Sequence, residues 1–130
     1  MPQRSFASWV SVLCYMAVIY MVSALPFGSP LFDEAQKFHL DWIVHTVEYG
    51  ILGLLLARAL SNSFPAGRRA PLWAAALVIG ALYAASDEWH QRSVPTRDAS
   101  VYDACADTVG TALGAWAWMR RNKRTFEANA

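Results

Sequence analysis

The chain has 130 residues, with 11 basic and 10 acidic side chains and a formal net charge of +1. This length predicts one domain covering residues 1–130. Apolar residues make up 55% of the chain and charged residues 16%, against about 25% charged in ordinary soluble domains. So apolar a composition excludes intrinsic disorder, and the nearly neutral charge argues against a nucleic-acid partner.

Four apolar segments follow one another along the chain, at about residues 6–25, 42–60, 71–89 and 101–119. A basic tail, 120–130, follows the last of them. Each segment is close to the roughly 20 residues that a helix needs to cross a bilayer. The segments lack a period of two, which favours helices over strands. We therefore expect an all-α, polytopic membrane protein with four transmembrane helices in a small bundle.

Two features of the apolar segments have alternative explanations. The first segment could be a cleaved signal peptide, but only Arg4 precedes it, and Ser23-Ala24-Leu25-Pro26 is a poor cleavage site. We expect it to be retained as a span.

Cys14 and Cys105 both lie in apolar segments, so we expect thiols buried in the membrane rather than a disulfide or a zinc site. Pro71 is expected to begin the third helix, in the favoured first turn.

The basic residues predict an orientation. With four spans, one side of the membrane would carry Arg4, Arg58, Arg68, Arg69, Arg120, Arg121, Lys123 and Arg124. The other side would carry only Lys37, Arg92 and Arg97. Because basic residues accumulate on the cytoplasmic side, we expect an inner-membrane protein with both termini in the cytoplasm. The basic tail is expected to touch anionic lipid head groups.

The acidic residues have the opposite distribution. All except Glu127 fall on the outer side or in the outer half of a span: Asp33, Glu34, Asp41, Glu48, Asp87, Glu88, Asp98, Asp103 and Asp107. Surface solvation can explain those in loops, but not Glu48 and Asp107, which lie inside spans. A charge at the bilayer centre costs about 2.5–3.5 kcal/mol on insertion scales, so such residues usually face a bundle interior or a wet cavity.

Helical spacing places several of these residues on shared faces. Asp41, His45 and Glu48 follow i, i+4, i+7 on the second segment, with Tyr49 and Leu52 continuing that side.

The third and fourth segments have the same pattern. Asp87 and Gln91 share a face at the outer end of the third segment, with Gly80 and Ala84 below them and His90 close to that face. The fourth segment repeats the pattern inward: Asp103, Asp107, Gly110 and Gly114. Since Gly110-x-x-x-Gly114 allows close helix packing, three polar helix ends are expected to meet above a surface of small residues.

Structural roles could explain some of these residues. Asp41 and Asp103 could complement the positive N-terminal ends of their helices. His45 could be a hydrogen-bonded core histidine. A buried polar network that sets helix register could account for Glu48, Asp87 and Asp107.

Arg97 follows Pro95 in the loop between the third and fourth segments. Its guanidinium could pair with Asp87, Asp98 or Asp103, or could hold an anionic ligand bidentately.

Three motifs together resemble a known family. They are Asp41-x-x-x-His45-x-x-Glu48-Tyr49, Asp87-Glu88-x-His90-Gln91-x-x-x-Pro95-x-Arg97 and Asp103-x-x-x-Asp107-x-x-Gly110-x-x-x-Gly114. Over residues 41–114 the chain resembles the VanZ family, small polytopic membrane proteins named for a teicoplanin-resistance protein. It departs from the family at Trp42, where Lys is common, and at Asp107, where Asn is frequent. The resemblance implies family membership rather than a particular reaction.

Three functional hypotheses follow. The first is a protein that binds or modulates a cell-envelope component at the outer interface, and that could lower susceptibility to a glycopeptide such as teicoplanin. Its partners would be membrane lipids, an envelope precursor or a glycopeptide. The residues expected to bind such a ligand are Asp41, Tyr49, Gln91, Arg97, Asp103 and Asp107.

The second hypothesis is an intramembrane enzyme that acts on an envelope lipid or precursor by acid/base or metal-assisted chemistry. Its catalytic candidates are His45, Glu48, Asp87, Glu88 and His90. Metal-ligand candidates are His45, Glu48, Asp87 and His90, although no closely spaced zinc motif is present. No cofactor is expected beyond a divalent metal. The third hypothesis is a small transporter or proton-coupled subunit, consistent with intramembrane carboxylates.

Overall fold

Four α-helices and no strands form the part of the chain that the computed structural model describes, residues 2–25, 41–64, 68–95 and 100–122. They are α1 (Pro2–Ser23), α2 (Asp41–Ser63), α3 (Arg69–Gln91) and α4 (Val101–Arg121). The all-α prediction is confirmed.

The helices extend beyond most of the predicted segment ends. The first helix begins at Pro2 rather than near residue 6, and the third begins at Arg69. Pro71 is therefore the third residue of α3, not its first. Proline is still compatible with this position. Backbone N–H groups in the first turn make no hydrogen bond within the helix, so the N–H that proline lacks is not needed there.

Three of the four helices are long and apolar enough to cross a membrane: Gln3–Ser23, Trp42–Ser63 and Arg69–Gln91. The fourth, α4, has 21 residues but is the least apolar of the set. A membrane bundle is thus supported by three helices, and the prediction of four spans is supported only in part.

Helices that follow one another in the chain run in opposite directions. The first turn of α1 meets the last turn of α2, where the Ser5 and Ser63 hydroxyls lie 2.7 Å apart. Farther along, the Tyr15 hydroxyl donates to the Glu48 backbone carbonyl over 3.1 Å. On α3, the Tyr83 hydroxyl donates to the Met16 carbonyl, so α1 and α3 run parallel. The N-terminal ends of α2 and α4 and the C-terminal ends of α1 and α3 therefore lie together; we name this the polar end.

The closest packing joins α2 and α4. A Cβ on Gly110 would overlap the backbone of Thr46, and a Cβ on Gly114 would overlap the backbone carbonyl of Gly50. One turn away, the backbone of Thr111 lies where a Cβ of Gly53 would be. Backbones can approach this closely only where both helices present small residues. We name this region the glycine contact; its α4 side agrees with the small-residue surface predicted from the sequence.

Large apolar side chains cover the outside of the bundle. Exposed examples occur on every helix: Leu13, Val18, Val47, Ile51, Val78, Leu82, Val109, Leu113 and Trp116. Cys14 and Cys105 are free and also exposed on this surface, so neither thiol is buried inside the bundle. An apolar exterior spread over all four helices is what a bundle surrounded by lipid requires.

Candidate functional site

A histidine and an aspartate form an ion pair between α2 and α4. His45 Nδ1 and Asp107 Oδ1 are 2.9 Å apart. The Asp107 side chain is completely buried, and its second oxygen, Oδ2, has no hydrogen-bond partner among the described residues. A buried acceptor left unpaired costs about 1–3 kcal/mol. This pair therefore leaves one strong acceptor directed into the bundle without a counterpart.

Glu88 brings a second carboxylate to the same place from α3. Its side chain is 7% exposed. The Ser100 backbone N–H donates to Oε2 over 2.8 Å, whereas Oε1 has no partner among the described residues. One donor atom each from His45, Glu88 and Asp107 lies within 4.8 Å of the other two. Three helices thus converge on one point, which we name the His45–Glu88–Asp107 group.

A second set of polar side chains lies beside this group. The Gln91 amide donates to Asp87 Oδ2 over 3.1 Å, and Asp87 Oδ1 is buried without a partner in the described structure. Tyr49 is completely buried, and its hydroxyl is likewise unpaired there. The Asp87 and Asp107 carboxylates both act electrostatically on this tyrosine. Tyr49 therefore connects the two sets of carboxylates.

Glu48 and His90 lie at the polar end but outside the His45–Glu88–Asp107 group. Glu48 is half-buried, and its carboxylate interacts electrostatically with His45, Tyr15 and Tyr49. The His90 ring stacks on Tyr20 of α1, with ring centroids 4.3 Å apart. These interactions place Glu48 and His90 beside residues of α1.

The residues whose donor atoms converge therefore differ in part from the metal ligands predicted from the sequence. Of His45, Glu48, Asp87 and His90, only His45 belongs to the group whose donor atoms converge; Glu88 and Asp107 supply the other two. Consecutive helical residues point about 100° apart. Asp87 is therefore directed toward Gln91 and Tyr49, while its neighbour Glu88 faces the start of α4.

The remaining candidates lie at the edge of the site. Asp103 is half-buried in the first turn of α4 and acts electrostatically on His45 and Glu88. The N-cap of α4 is Ser100, whose hydroxyl accepts from the Tyr102 backbone N–H, so Asp103 is not itself the cap. Asp41 begins α2, and Arg97 lies outside the described residues.

Sequence reasoning missed the residues that complete the site. The Ser100 N–H and the Tyr20 ring each contact a candidate, yet neither residue type indicates function by itself. Thr111 is also completely buried, and its side chain occupies the space that a Cβ on Gly80 would need. The glycines of α2, Gly50 and Gly53, could have been found from the sequence, because Thr46-x-x-x-Gly50 and Gly53-x-x-x-Ala57 both have the spacing of small residues that is typical of closely packed membrane helices.

An open groove of about 200 Å³ leads to Glu88 between the C-terminal end of α3 and the start of α4. The Arg92 guanidinium lies 5.6 Å from the centroid of the Trp89 ring at this groove. The lining residues are Ala85, Glu88, Trp89, Arg92, Ser100, Val101 and Ala104. The groove therefore combines an apolar wall with one carboxylate and one guanidinium.

Several kinds of chemistry are available to this arrangement. The unpaired carboxylate oxygens can accept hydrogen bonds from hydroxyl or amine groups, or can ligate a cation. By accepting a hydrogen bond from His45 Nδ1–H, the Asp107 carboxylate can fix the orientation of the imidazole as a base. Neither cysteine is buried near the group, since both lie on the outer surface.

Comparison with known proteins places this geometry in a family. No curated protein and no solved structure matches the chain. The model of the VanZ/LLP1 family matches residues 9–122, a range that includes most of α1, all of the next three helices and every residue of the polar site. The resemblance seen in the three motifs is thereby confirmed, and the chain belongs to the VanZ/LLP1 family.

Proposed function

We propose that this protein binds the head group of an envelope lipid or lipid-linked precursor in the groove beside Glu88. The observation that carries the proposal is the unpaired Glu88 Oε1 of a nearly buried side chain, on an open groove that also contains Arg92. Glu88 would accept a hydrogen bond from a hydroxyl or amine, and Arg92 would hold a phosphate. The apolar wall would cover the adjoining hydrocarbon.

The proposal includes α4 as a fourth span. Part of its low mean hydropathy comes from the side that faces the bundle, which holds Asp107 and Thr111, and part comes from Arg120 and Arg121 in its last turn. The opposite side carries Val109, Leu113 and Trp116, each at least 51% exposed. A helix with a polar buried face and an apolar outer face suits a membrane bundle better than its average composition indicates.

Orientation follows the basic residues, with both termini cytoplasmic and the polar end facing outward. Single cysteines at Phe64 and Ser93, in a chain lacking Cys14 and Cys105, test it with a membrane-impermeant thiol reagent. Both positions are exposed and lie at opposite ends of the bundle. In intact cells we expect labelling at 93 and protection at 64; the reverse pattern would invert the orientation.

Ligand binding is tested by native mass spectrometry of the purified protein in detergent, with two probes added separately. One is a polyprenyl diphosphate-linked peptidoglycan precursor, and the other is phosphatidylethanolamine. We expect a 1:1 complex that Glu88→Gln and Arg92→Ala each weaken, whereas Arg58→Ala, an exposed arginine at the other end, serves as the matched control. Equal binding by all variants would exclude the groove as the site.

The finer part of the proposal concerns antibiotic susceptibility. If the bound component is the precursor that glycopeptides recognise, expression should raise the teicoplanin concentration needed to stop growth, and Glu88→Gln should remove the increase. Selective binding of phosphatidylethanolamine with no change in teicoplanin susceptibility would instead indicate that the groove binds bulk membrane lipid rather than the precursor.

A second candidate function is acid/base catalysis on the same ligand. The observation that favours it is the 2.9 Å contact between His45 and the buried Asp107, beside Glu88. A carboxylate that orients an imidazole, with another carboxylate nearby, provides a base and an acid for proton transfer. Conversion of the added precursor by the wild-type protein, absent in His45→Gln, would support an enzyme; recovery of unchanged precursor would support binding alone.

A further inference from the structure

We infer that the His45–Glu88–Asp107 group is a binding site for a divalent transition-metal ion, with Zn²⁺ the ion that its ligands suit best. The inference adds a metal ion to the proposed function. It rests on that function because the ion would lie beside the same groove. Its first support is geometric, because donor atoms from three different helices lie within 4.8 Å of one another.

The second support is the state of the two carboxylates. Asp107 is completely buried and Glu88 is 93% buried, and each retains one oxygen without a partner among the described residues. Each already uses its other oxygen: Asp107 toward His45 and Glu88 toward the Ser100 N–H. Metal-ligating side chains are commonly oriented by a contact from outside the coordination shell, as the Ser100 N–H orients Glu88. The contact between Asp107 and His45 lies within the group and would be exchanged for bonds to the ion. The unpaired oxygens are the atoms that an ion would satisfy.

Charge favours a cation at this point. Two carboxylates within 4.8 Å repel each other where little water screens them. Asp87 adds to the negative field at Asp107, and Asp103 adds to it at both Glu88 and Asp107. His45 is the one group of the three that can carry a positive charge, and a protonated imidazole would offset only part of the negative charge. A doubly charged ion would neutralise both carboxylates at once.

The donor set selects the kind of ion. One imidazole nitrogen with two carboxylate oxygens suits Zn²⁺ and neighbouring transition metals better than Ca²⁺ or Mg²⁺, which take oxygen ligands. Ligands about 2.0–2.2 Å from a tetrahedral ion lie roughly 3.3–3.6 Å apart. His45 and Asp107 already approach to 2.9 Å, so the adjustment needed is a rotation of side chains that brings the most distant donors of the group closer together. The groove beside Glu88 leaves a fourth position open to water or to the bound ligand.

The experiment uses the full-length protein in detergent, freed of metal by chelation and titrated with Zn²⁺ against a chromophoric chelator. We expect one Zn²⁺ per chain. Asp107→Asn, Glu88→Gln and His45→Gln should each weaken binding at least tenfold. Asp103→Asn and Asp87→Asn remove carboxylates that act on the group only through space, and each should weaken binding less than any of the three ligand substitutions. Co²⁺ titration supplies a second readout, since its visible spectrum reports the loss of a nitrogen or oxygen ligand.

Folding and ligand binding are measured on the same samples. Asp107→Asn keeps the size of the side chain, and we expect its melting temperature to equal that of the wild type. Absence of Zn²⁺ and Co²⁺ binding by the wild type would overturn the inference and assign the unpaired oxygens to a cationic partner outside the described residues. Binding that Asp107→Asn and Glu88→Gln leave unchanged would overturn it as well.

Failure of this inference can be told from failure of the proposed function. The lipid experiment is repeated on metal-free protein. Lipid binding without any Zn²⁺ binding would overturn the metal site and keep the proposed function. Zn²⁺ binding without lipid binding would support the metal site and overturn the proposed function.

Discussion

The polar end and the glycine contact share two helices, α2 and α4, and α3 adds Glu88 to the polar end. In the glycine contact the backbones of the helices touch, and close packing explains every residue there. At the polar end, buried carboxylates retain oxygens that have no partner among the described residues, an arrangement that lowers the stability of a fold. The difference teaches that packing explains Gly110 and Gly114, whereas Glu88 and Asp107 need a functional explanation, since stability alone would favour their replacement.

The largest effect is expected at the glycine contact, where facing glycines respond differently to the same substitution. A Cβ on Gly114 would overlap the Gly50 carbonyl, whereas a Cβ on Gly50 would lie 3.6 Å from the Gly110 carbonyl, an ordinary contact. We expect Gly114→Ala to destabilise the bundle by about 3 kcal/mol and to lower Tm by roughly 10 °C. Gly114→Leu should be more severe.

Gly50→Ala is the matched control, because it adds the same methyl group on the facing helix. It should be neutral or should stabilise the protein by up to about 1 kcal/mol, since alanine favours helix more than glycine does. Thermal unfolding in detergent measures both variants. Equal melting temperatures would show that α2 and α4 do not approach as closely as described.

The polar end should respond in the opposite way. Glu88→Gln removes a nearly buried charge and keeps the side-chain volume, so Tm should stay unchanged or rise, while affinity for the added precursor falls about tenfold, or 1.4 kcal/mol. Native mass spectrometry and thermal unfolding on one preparation give both values. A large loss of stability in Glu88→Gln would show that this carboxylate has a structural role. The polar end and the glycine contact would then no longer differ in what explains their residues.

A double substitution measures how strongly α2 and α4 are coupled at the polar end. His45 and Asp107 are in contact, so replacing both with alanine should cost no more ligand affinity than the worse single change. The interaction energy should lie in the range of about 0.5–3 kcal/mol. Losses that simply add would indicate that the two residues act independently, in conflict with a shared site.

The smallest effect is expected where α1 joins the polar end. Tyr20→Leu removes the stack on His90 and should lower stability by about 0.5–1 kcal/mol. Tyr102→Leu is the control, because that tyrosine is 86% exposed and should change stability by less than half as much. Equal melting temperatures for Tyr20→Leu and Tyr102→Leu would show that the ring contact adds nothing to the stability of the protein. The α1 helix would then border the site only through its backbone.

Local patterns predicted much of the site. Spacing along each helix correctly indicated that His45, Asp107 and Asp87 belong to one end, and that Gly110 and Gly114 face a neighbouring helix. Such predictions succeed because helical periodicity depends only on the chain within one or two turns. The same reasoning selected Glu48 and His90 as metal ligands, and the structure instead places them among residues of α1.

The sequence by itself determined the four helices, the separation of acidic from basic ends, and the family. These follow from apolar segment length, charge distribution and motif spacing, all of which are properties of neighbouring residues. The tertiary structure decided that Glu88, rather than Asp87, joins His45 and Asp107. That choice depends on the rotation of α3 about its own axis, which is set where Thr111 packs against Gly80 and where the Ser100 N–H meets Glu88. Contacts between residues distant in the chain fix such a rotation, and periodicity within one helix contains no information about them.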